Sequence, residues 1–397
     1  MSEWKEYKLK EICPVITDGS HFSPKEYPGG IPMFSVKDMK DNGFDYSKVK
    51  RISELDYLAL IKQGCQPEIG DILIAKDGSV LKHIFAVKEK PDYVLLSSIA
   101  IVKPDNKIVD SVFLSYQLKS PNTSETILTN FVSGSGVPRI VLKDFKEVEI
   151  SLPSLSEQTA IAEVLSSLDD KIDLLHRQNK TLEQLAETLF RQWFIEEADE
   201  SWETYKLRDL VKHVKPGTNY QPKRIDNGIP FLNVRNLNNG FLDLSDTTKI
   251  SDEEYQRIHK SWQPDENDVL ISRIGTLGIV AVILKKDLPV AVHYNMINLK
   301  AKETSYQFLY FLLKSQLFQE KYFSIVRQSV QEYVAIEDTE NIELSLPIGT
   351  DLFKERQMVF NDFLDKIKSN TQQIRTLTQL RDSLLPKLMS GEVRINI

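Results

Sequence analysis

Apolar positions along the chain follow two regimes, and the alternation between them occurs twice. In residues 1–152 and 199–346, short apolar runs are separated by Gly, Pro, Asn and Asp; examples are DILIA at 71–75, YVLLSSIAIV from Tyr93, DVLIS at 268–272 and IVAVILKK from Ile279. That punctuation predicts strands and turns. FLSYQLKS from Phe113 and SYQFLYFLLKSQLFQEKYF from Ser305 predict short helices packed on those strands, so both regions read as α+β. Residues 153–198 and 347–397 keep a helical period instead. In the first, Leu165, Ile172, Asn179, Ala186 and Trp193 take heptad position a, and Ile161, Leu168, Leu175, Leu182 and Leu189 take d, a sustained coiled-coil seam. Either Ser154, three residues before Glu157, or Ser156 can start this helix as its N-cap. From Ser156 to Phe194 it would extend roughly 58 Å at 1.5 Å per residue. The second seam runs through Ile367, Ile374, Leu377, Leu384 and Leu388; Asn370 and Arg381 interrupt it, and Pro386 is expected to end or kink the helix. One amphipathic helix leaves its stripe in water, so the two are expected to pack together, with Asn179 either setting their register or solvated at the seam edge.

The two halves superimpose as sequences. WKEYKL at 4–9 returns as WETYKL at 202–207, and GIPMFSVKDM at 30–39 returns as GIPFLNVRNL at 228–237, each 198 positions later. In the same order, GDILIAKDGS from Gly70 matches NDVLISRIGT from Asn267, FLSYQLKS matches FLYFLLKS from Phe308, and EISLP from Glu149 matches ELSLP from Glu343. LDDKI ending at Ile172 is echoed by FLDKI ending at Ile367, and TLEQL from Thr181 by TLTQL from Thr376. A duplication of this length implies two related domains on two related helices. The internal junction FRQWF to SWETYKL resembles one made by bringing LMSGEVRINI beside SEWKEYKL, so the chain ends are expected close together in a pseudo-twofold circular arrangement. Gln158 lies 12 residues before Asp170 but Gln357 only 8 before Asp365, so the second helix is expected to be about one turn shorter at its start.

Charge changes the picture only once it is localised. The net charge of −7 argues against nucleic-acid binding for the chain taken whole. Residues 151–200 hold 4 basic and 11 acidic residues, whereas 1–150 hold 20 and 21, and 201–345 hold 18 and 19. The acidic excess therefore belongs to the first long helix, and each front region is free to present a basic face. Residues 346–397 carry 8 basic against 6 acidic residues, the opposite sign to the first helix. Two cysteines read as free thiols, and with no signal-peptide core and no run of about 18 uncharged apolar residues the expectation is a cytoplasmic protein without a membrane span.

The chain lacks the motifs of the obvious DNA-acting enzymes. No KS or KT pair follows a glycine, which excludes a P-loop, and no two prolines are adjacent, which excludes the motif that holds the target nitrogen in DNA amino-methyltransferases. Cys13, Cys65 and six scattered histidines give no zinc-ligand spacing. What remains are polar, glycine-spaced loops at matching places. Lys76, Ser79 and Lys82 in AKDGSVLKH, and Arg273 and Thr276 in SRIGTLG, follow a predicted strand, where donors can reach phosphates or base edges; a solvated turn is the plainer reading of each. Lys37 stands against Arg235 and its neighbour Asn236. Ser135 and Arg139 in SGSGVPRI, and Arg327 and Gln328 in the second half, precede the return to EISLP and ELSLP. His293 and Asn295 lie between two apolar runs, where a satisfied core histidine is an equal alternative.

The segments EISLPSLSEQTAIAEVLSSLDDKIDLLHRQNKTLEQLAETLFRQWF and LTQLRDSLLPKLMSGEV resemble the two helical regions of Type I restriction-modification specificity subunits, and the order of parts matches over essentially the whole chain. The resemblance implies two similar α/β target-recognition domains, 1–152 and 199–346, separated by long antiparallel coiled-coil spacer helices at 153–198 and 347–397. It further implies a non-catalytic chain that binds double-stranded DNA, reads a bipartite target across an unspecified gap set by the helices, and docks two methyltransferase subunits and the restriction motor-nuclease subunits. S-adenosylmethionine, ATP and magnesium would belong to those partners, and this chain would bind no cofactor. A pure coiled-coil scaffold explains the seam but not the duplicated loop-rich domains.

Overall fold

The computed structural model describes residues 4–134, 136–328 and 330–395. The chain forms two compact units, Met1–Leu174 with Gln373–Ile397, and Leu175–Gln372. The helices that frame them are α1 (Ser111–Lys119), α2 (Leu155–Arg191), α3 (Tyr306–Lys314) and α4 (Asp351–Met389). The boundary between units falls inside both α2 and α4, so each unit consists of a front domain and one half of each long helix.

In the first unit, Val15–Asp18, Ile99–Lys103, Ile72–Ala75 and Ile84–Ala86 form an antiparallel sheet in that order. ILIA and IAIVK are continuous apolar runs because both sheet faces are covered. Ile72, Ile74, Ala100 and Val102 face α1 and the long helices, while Leu73, Ala75, Ile99 and Ile101 face Phe34, Phe85 and Tyr93. This is the strand period of two splitting one run between two cores. A smaller sheet, Lys50–Ile52, Ile31–Phe34 and Val94–Leu95, lies beside it, and Lys5–Lys8 pairs with Glu149–Leu152 in the register Tyr7 to Ile150. Asp110 caps α1 by accepting from the Phe113 N–H at 2.9 Å, and Ser154 caps α2 by accepting from Glu157 at 3.4 Å.

The second unit repeats this frame. Val211–Pro216, Met296–Ala301, Val269–Ser272 and Val280–Val282 take the same order and continue into Phe241–Leu242 and Leu237–Asn238. Lys249–Ile250, Ile229–Leu232 and Ala291–Val292 form the smaller sheet, and Thr204–Lys206 pairs with Glu343–Ser345.

Within each unit the helix halves run antiparallel. In the first, Leu165 shares a core with Leu384 and Leu388, Ile172 is buried, and Leu168, Ile374 and Leu377 are half-buried. In the second, Leu175 and Ile367 are buried and Leu182 and Leu189 half-buried. Three readings of the helices change. Asn370 and Arg381 do not break the seam: Asn370, fully buried, donates to Asn179 Oδ1 at 2.9 Å, and Arg381 donates to Asp169 at 2.8 Å. Asn179 also donates to Thr371 Oγ1 at 3.3 Å, so it is a seam partner and not a solvated edge. Pro386 lies inside α4, which continues to Met389; a proline so near the helix end forfeits few backbone bonds.

The second helix is not shorter at its start: α4 begins six residues before Gln357, whereas α2 begins three before Gln158, and it is the first helix that runs on, through a π-helical turn at Gln192–Glu196. Gln158 accepts from the backbone N–H of Asp110, and Gln357 from that of Ser305, so each glutamine braces the N-cap of α1 or α3. The glutamines are equivalent, and an extra turn before Gln357 offsets the turn missing after it. At the chain ends, a side chain at Gly391 would meet the Trp4 ring at 3.3 Å, so the described ends lie together in the first unit as the repeat predicts.

Candidate nucleic-acid interface

Five loops converge at one end of the main sheet in each unit, and backbone bonds hold them together. In the first unit, strand Ile72–Ala75 runs into the 76–82 turn, where Gly78 (φ +72°) and Leu81 (φ +58°) fold the chain back so that Leu81 donates to Ala75 at 2.9 Å. Gly78 donates to Pro138 at 2.7 Å and Ile140 to Lys76 at 3.0 Å, which fastens the 136–140 loop to the turn. Lys76 donates to Ser98 at 3.0 Å, Ser97 to Ser20 at 2.9 Å, and Ser98 Oγ accepts from Val36 at 3.0 Å, adding the 96–98, 18–22 and 35–38 loops.

The second unit builds the same cluster from matching segments. Arg273 donates to Asn295 at 2.8 Å, Val334 to Arg273 at 2.9 Å, Tyr294 to Thr218 at 2.8 Å, and His293 to Leu232 at 3.2 Å. The loops at 217–221, 273–278 and 293–295 and the segment at 333–334 therefore meet as their counterparts do, and the 233–236 loop follows directly on Leu232.

Exposure divides the residues singled out from the sequence. Lys37, Ser79, Arg139, Arg235, Thr276, Arg327 and Gln328 reach solvent from these loops. Arg139 is weakly held by Asp77 at 3.9 Å, Arg235 by Asp246 at 3.8 Å, and Arg327 more firmly by Asp338 at 2.6 Å, which raises its guanidinium pKa. Exposed pairs of this kind can be exchanged for a phosphate at small cost. Lys82 is exposed as well, but it lines a cavity of about 190 Å³ with Asp41, His83, Tyr116, Lys119 and Arg381. Ser135 lies outside the described residues.

The other five are buried or half-buried. Lys76 is buried and paired with Asp18 at 3.0 Å. Asn236 is buried, accepts from the Asn233 N–H at 2.9 Å and donates to Asp243 at 3.1 Å, so it closes a turn. Arg273 donates through Nε to Val334 at 2.8 Å and through a terminal nitrogen to Tyr294 at 3.2 Å; burial lowers its pKa, and its role is to lock two loops. His293 is buried against Phe231 and Tyr294, burial lowers its pKa, and Asn295 lies half-buried beside it with Oδ1 unpartnered. Lys76, Asn236 and His293 are buried, and Arg273 is half-buried with two of its nitrogens on backbone carbonyls, so in this structure all four shape the loops.

Sequence reasoning missed the acids Asp18 and Asp77 that hold Lys76 and Arg139, and it missed the loop carrying Phe22 and Lys25. The signal for the loop was available, since HFSPK at 21–25 returns as NYQPK at 219–223 in the 198-residue frame. Among the described residues there is no group of three or more His, Cys, Asp or Glu placed to hold a metal, and no helix long and apolar enough to cross a membrane.

Residues 1–184 and 199–380 match the model of the Type I restriction modification DNA specificity domain. The chain is 30% identical to the Type I restriction enzyme MjaIX specificity subunit of Methanocaldococcus jannaschii, over 99% of this chain and 94% of that protein. It is 24% identical to the HindI specificity subunit of Haemophilus influenzae, covering 99% and 100% of the two chains. A crystal structure of a Type I restriction-modification system S subunit from M. genitalium shares the fold at 17% identity with a TM-score of 0.63, covering 99% and 96% of the two chains.

Proposed function

Because the chain belongs to the Type I restriction-modification DNA specificity family, we propose that it is the non-catalytic component that reads DNA for a methyltransferase and restriction complex. The observation that carries this reading is the recurrence of one loop cluster on one strand frame in both units. A single cluster of exposed donors is an ordinary surface, but its duplication on a pair of continuous helices suits a target with two recognised parts. Each unit takes one half-site, with Lys37, Ser79 and Arg139 facing DNA in the first, and Arg235, Thr276, Arg327 and Gln328 in the second. Arg and Gln can make bidentate contacts to base edges, and Lys and hydroxyls can hold phosphates.

The long helices take two further roles in this proposal. Their length sets the unspecified gap between half-sites, and their outer faces dock two methyltransferase subunits, through which the motor-nuclease subunits join. The partners bring S-adenosylmethionine, ATP and magnesium, while this chain contributes only recognition and assembly.

The test is genome-wide mapping of methylated adenines with this gene present and deleted, the methyltransferase gene being intact. A split motif that disappears on deletion is the expected result; an unchanged set of motifs beside an active methyltransferase would sink the proposal. Inserting four residues after Leu182 should then lengthen the gap and leave both half-sites unchanged, and an unaltered gap would show that the helices are not the ruler.

A further inference from the structure

The 19–28 loop of the first unit holds an aromatic ring in water by means of a rigid support. A side chain at Gly19 would lie 2.2 Å from the Leu95 carbonyl, so the loop begins pressed against the smaller sheet. The buried Ser20 hydroxyl donates to the Phe22 carbonyl at 2.7 Å and accepts from the Phe22 N–H at 3.0 Å. Pro24 is buried, Lys50 donates to Ser23 Oγ at 2.7 Å, and Tyr27 donates to Arg51 at 2.8 Å. Phe22 is nevertheless 66% exposed, and among the described residues no ring or cation stacks on it. A mobile loop can hide such a ring part of the time; one tied at both ends keeps it presented.

The second unit repeats the device 198 residues later. Gly217 is pressed against the His293 carbonyl at 2.3 Å, Thr218 Oγ1 accepts from the Tyr220 N–H at 3.1 Å, and Pro222 is buried. Tyr220 takes the place of Phe22, and the exposed Lys223 takes that of Lys25. Here Arg257 lies over the ring at 4.4 Å and donates to its hydroxyl at 3.1 Å, whereas the same offset in the first unit gives Ala59. One aromatic is braced by a cation and the other is bare.

We infer that Phe22 is a direct DNA contact of the first unit, an apolar wedge or stacking platform for bases, with Lys25 beside it on a backbone phosphate. The surroundings favour DNA over a protein partner. Lys25 is exposed three residues after the ring, Lys50 is held to the neighbouring Ser23, Arg224 replaces the one acid of the loop, Glu26, in the second unit, and Ser20 joins this loop to the 96–98 segment of the candidate interface. In a duplex an aromatic side chain reaches base faces by wedging into a base step and unstacking it, and it adds nothing to the count of phosphate contacts. The inference rests on the proposed function and adds a contact to it.

The test uses the complex reconstituted with its methyltransferase and a duplex carrying the mapped target. Phe22→Ala should keep the wild-type Tm and assembly, weaken binding about 5- to 100-fold, leave the salt slope unchanged, and reduce methylation by impairing one half-site only. Phe22→Trp should recover most of the loss. Lys25→Ala should instead reduce the salt slope by about 1 for all sequences. Wild-type binding by Phe22→Ala would overturn the contact, and loss of assembly with the methyltransferase would reassign the ring to a protein interface. Failure of the wild-type complex to retain any duplex would overturn the functional reading itself, and this inference with it.

Discussion

The two units fasten their halves of the long helices with different chemistry. In the second unit the junction is a cluster of buried rings: Phe360 lies 5.7 Å from Phe190, 5.8 Å from Phe308 and 5.5 Å from Phe311, with Phe194 and Phe353 completing it. In the first unit Ile161, three residues after the equivalent glutamine, stands where Phe360 stands, and the seam is aliphatic through Leu165, Leu388 and Met389. Polar groups close it. Tyr116 donates to Asp169 at 2.6 Å, Arg381 donates to the same carboxylate, and the Arg394 guanidinium meets Glu157. The bracing glutamines are shared, so duplication has preserved where the helix is held and has not preserved what holds it. Rings stabilise in proportion to buried area, whereas an ion pair stabilises only while both members are present.

Removing a ring should have the largest effect. Phe360→Ala is expected to destabilise the second unit by about 3–5 kcal/mol, more than Ile161→Ala destabilises the first, as read by denaturant unfolding. Equal losses would show that the ring cluster carries no additional weight.

Acid should separate the units next. His259 is buried, with Nδ1 3.1 Å from the Trp262 carbonyl and Nε2 accepting from the Val292 N–H at 3.4 Å, an arrangement that suits the neutral ring. Burial lowers its pKa to about 4 from an ordinary 6.5. The unfolded chain therefore binds a proton that the folded one refuses, and the second unit loses stability as pH falls from about 6.5 to about 4, by about 2–3 kcal/mol. Position 61, the counterpart in the first unit, is Ile, so His259→Leu should flatten this dependence. An unchanged pH profile in that variant would remove His259 as the cause.

Breaking the polar closure follows. Arg381→Ala leaves Asp169, 6% exposed, without its cation and should destabilise the first unit by about 2 kcal/mol, less than a fully buried pair because Arg381 keeps 27% exposure. Restoration of stability by Asp169→Asn in the Arg381→Ala background would identify the stranded charge as the cost. The smallest effect on folding is expected from Arg139→Ala, an exposed residue 3.9 Å from its acid. It should shift stability by no more than about 0.5 kcal/mol while weakening DNA binding, either at one base position or uniformly with a shallower salt slope. No change in either would remove Arg139 from the interface.

The sequence carried the frame with unusual clarity because the frame was written twice. Strands at Ile72–Ala75 and Val269–Ser272, helices α1 and α3, and the long helical seams were all legible from period and spacing. The lengths were less so: Gln158 and Gln357 located the helices correctly, but a count of intervening residues could not tell a turn lost from a turn moved. The candidate interface was legible as loops and not as side chains. Nothing in AKDGS or SRIGT distinguishes a lysine paired with Asp18 or an arginine locked on Val334 from one facing water.

By itself, then, the sequence determined two related domains, the two helical stripes and the loops that vary between them, because periodicity and repetition are properties of order along the chain. Only the tertiary structure decided which donors are spent and which are available. Lys76 is turned inward, Arg273 is tied to two backbone carbonyls, Arg139 and Thr276 face outward, Asn370 faces Asn179, and Phe22 stands in solvent. Each outcome depends on a partner distant in sequence that satisfies, or fails to satisfy, a polar group or ring on burial, and no local pattern records that balance.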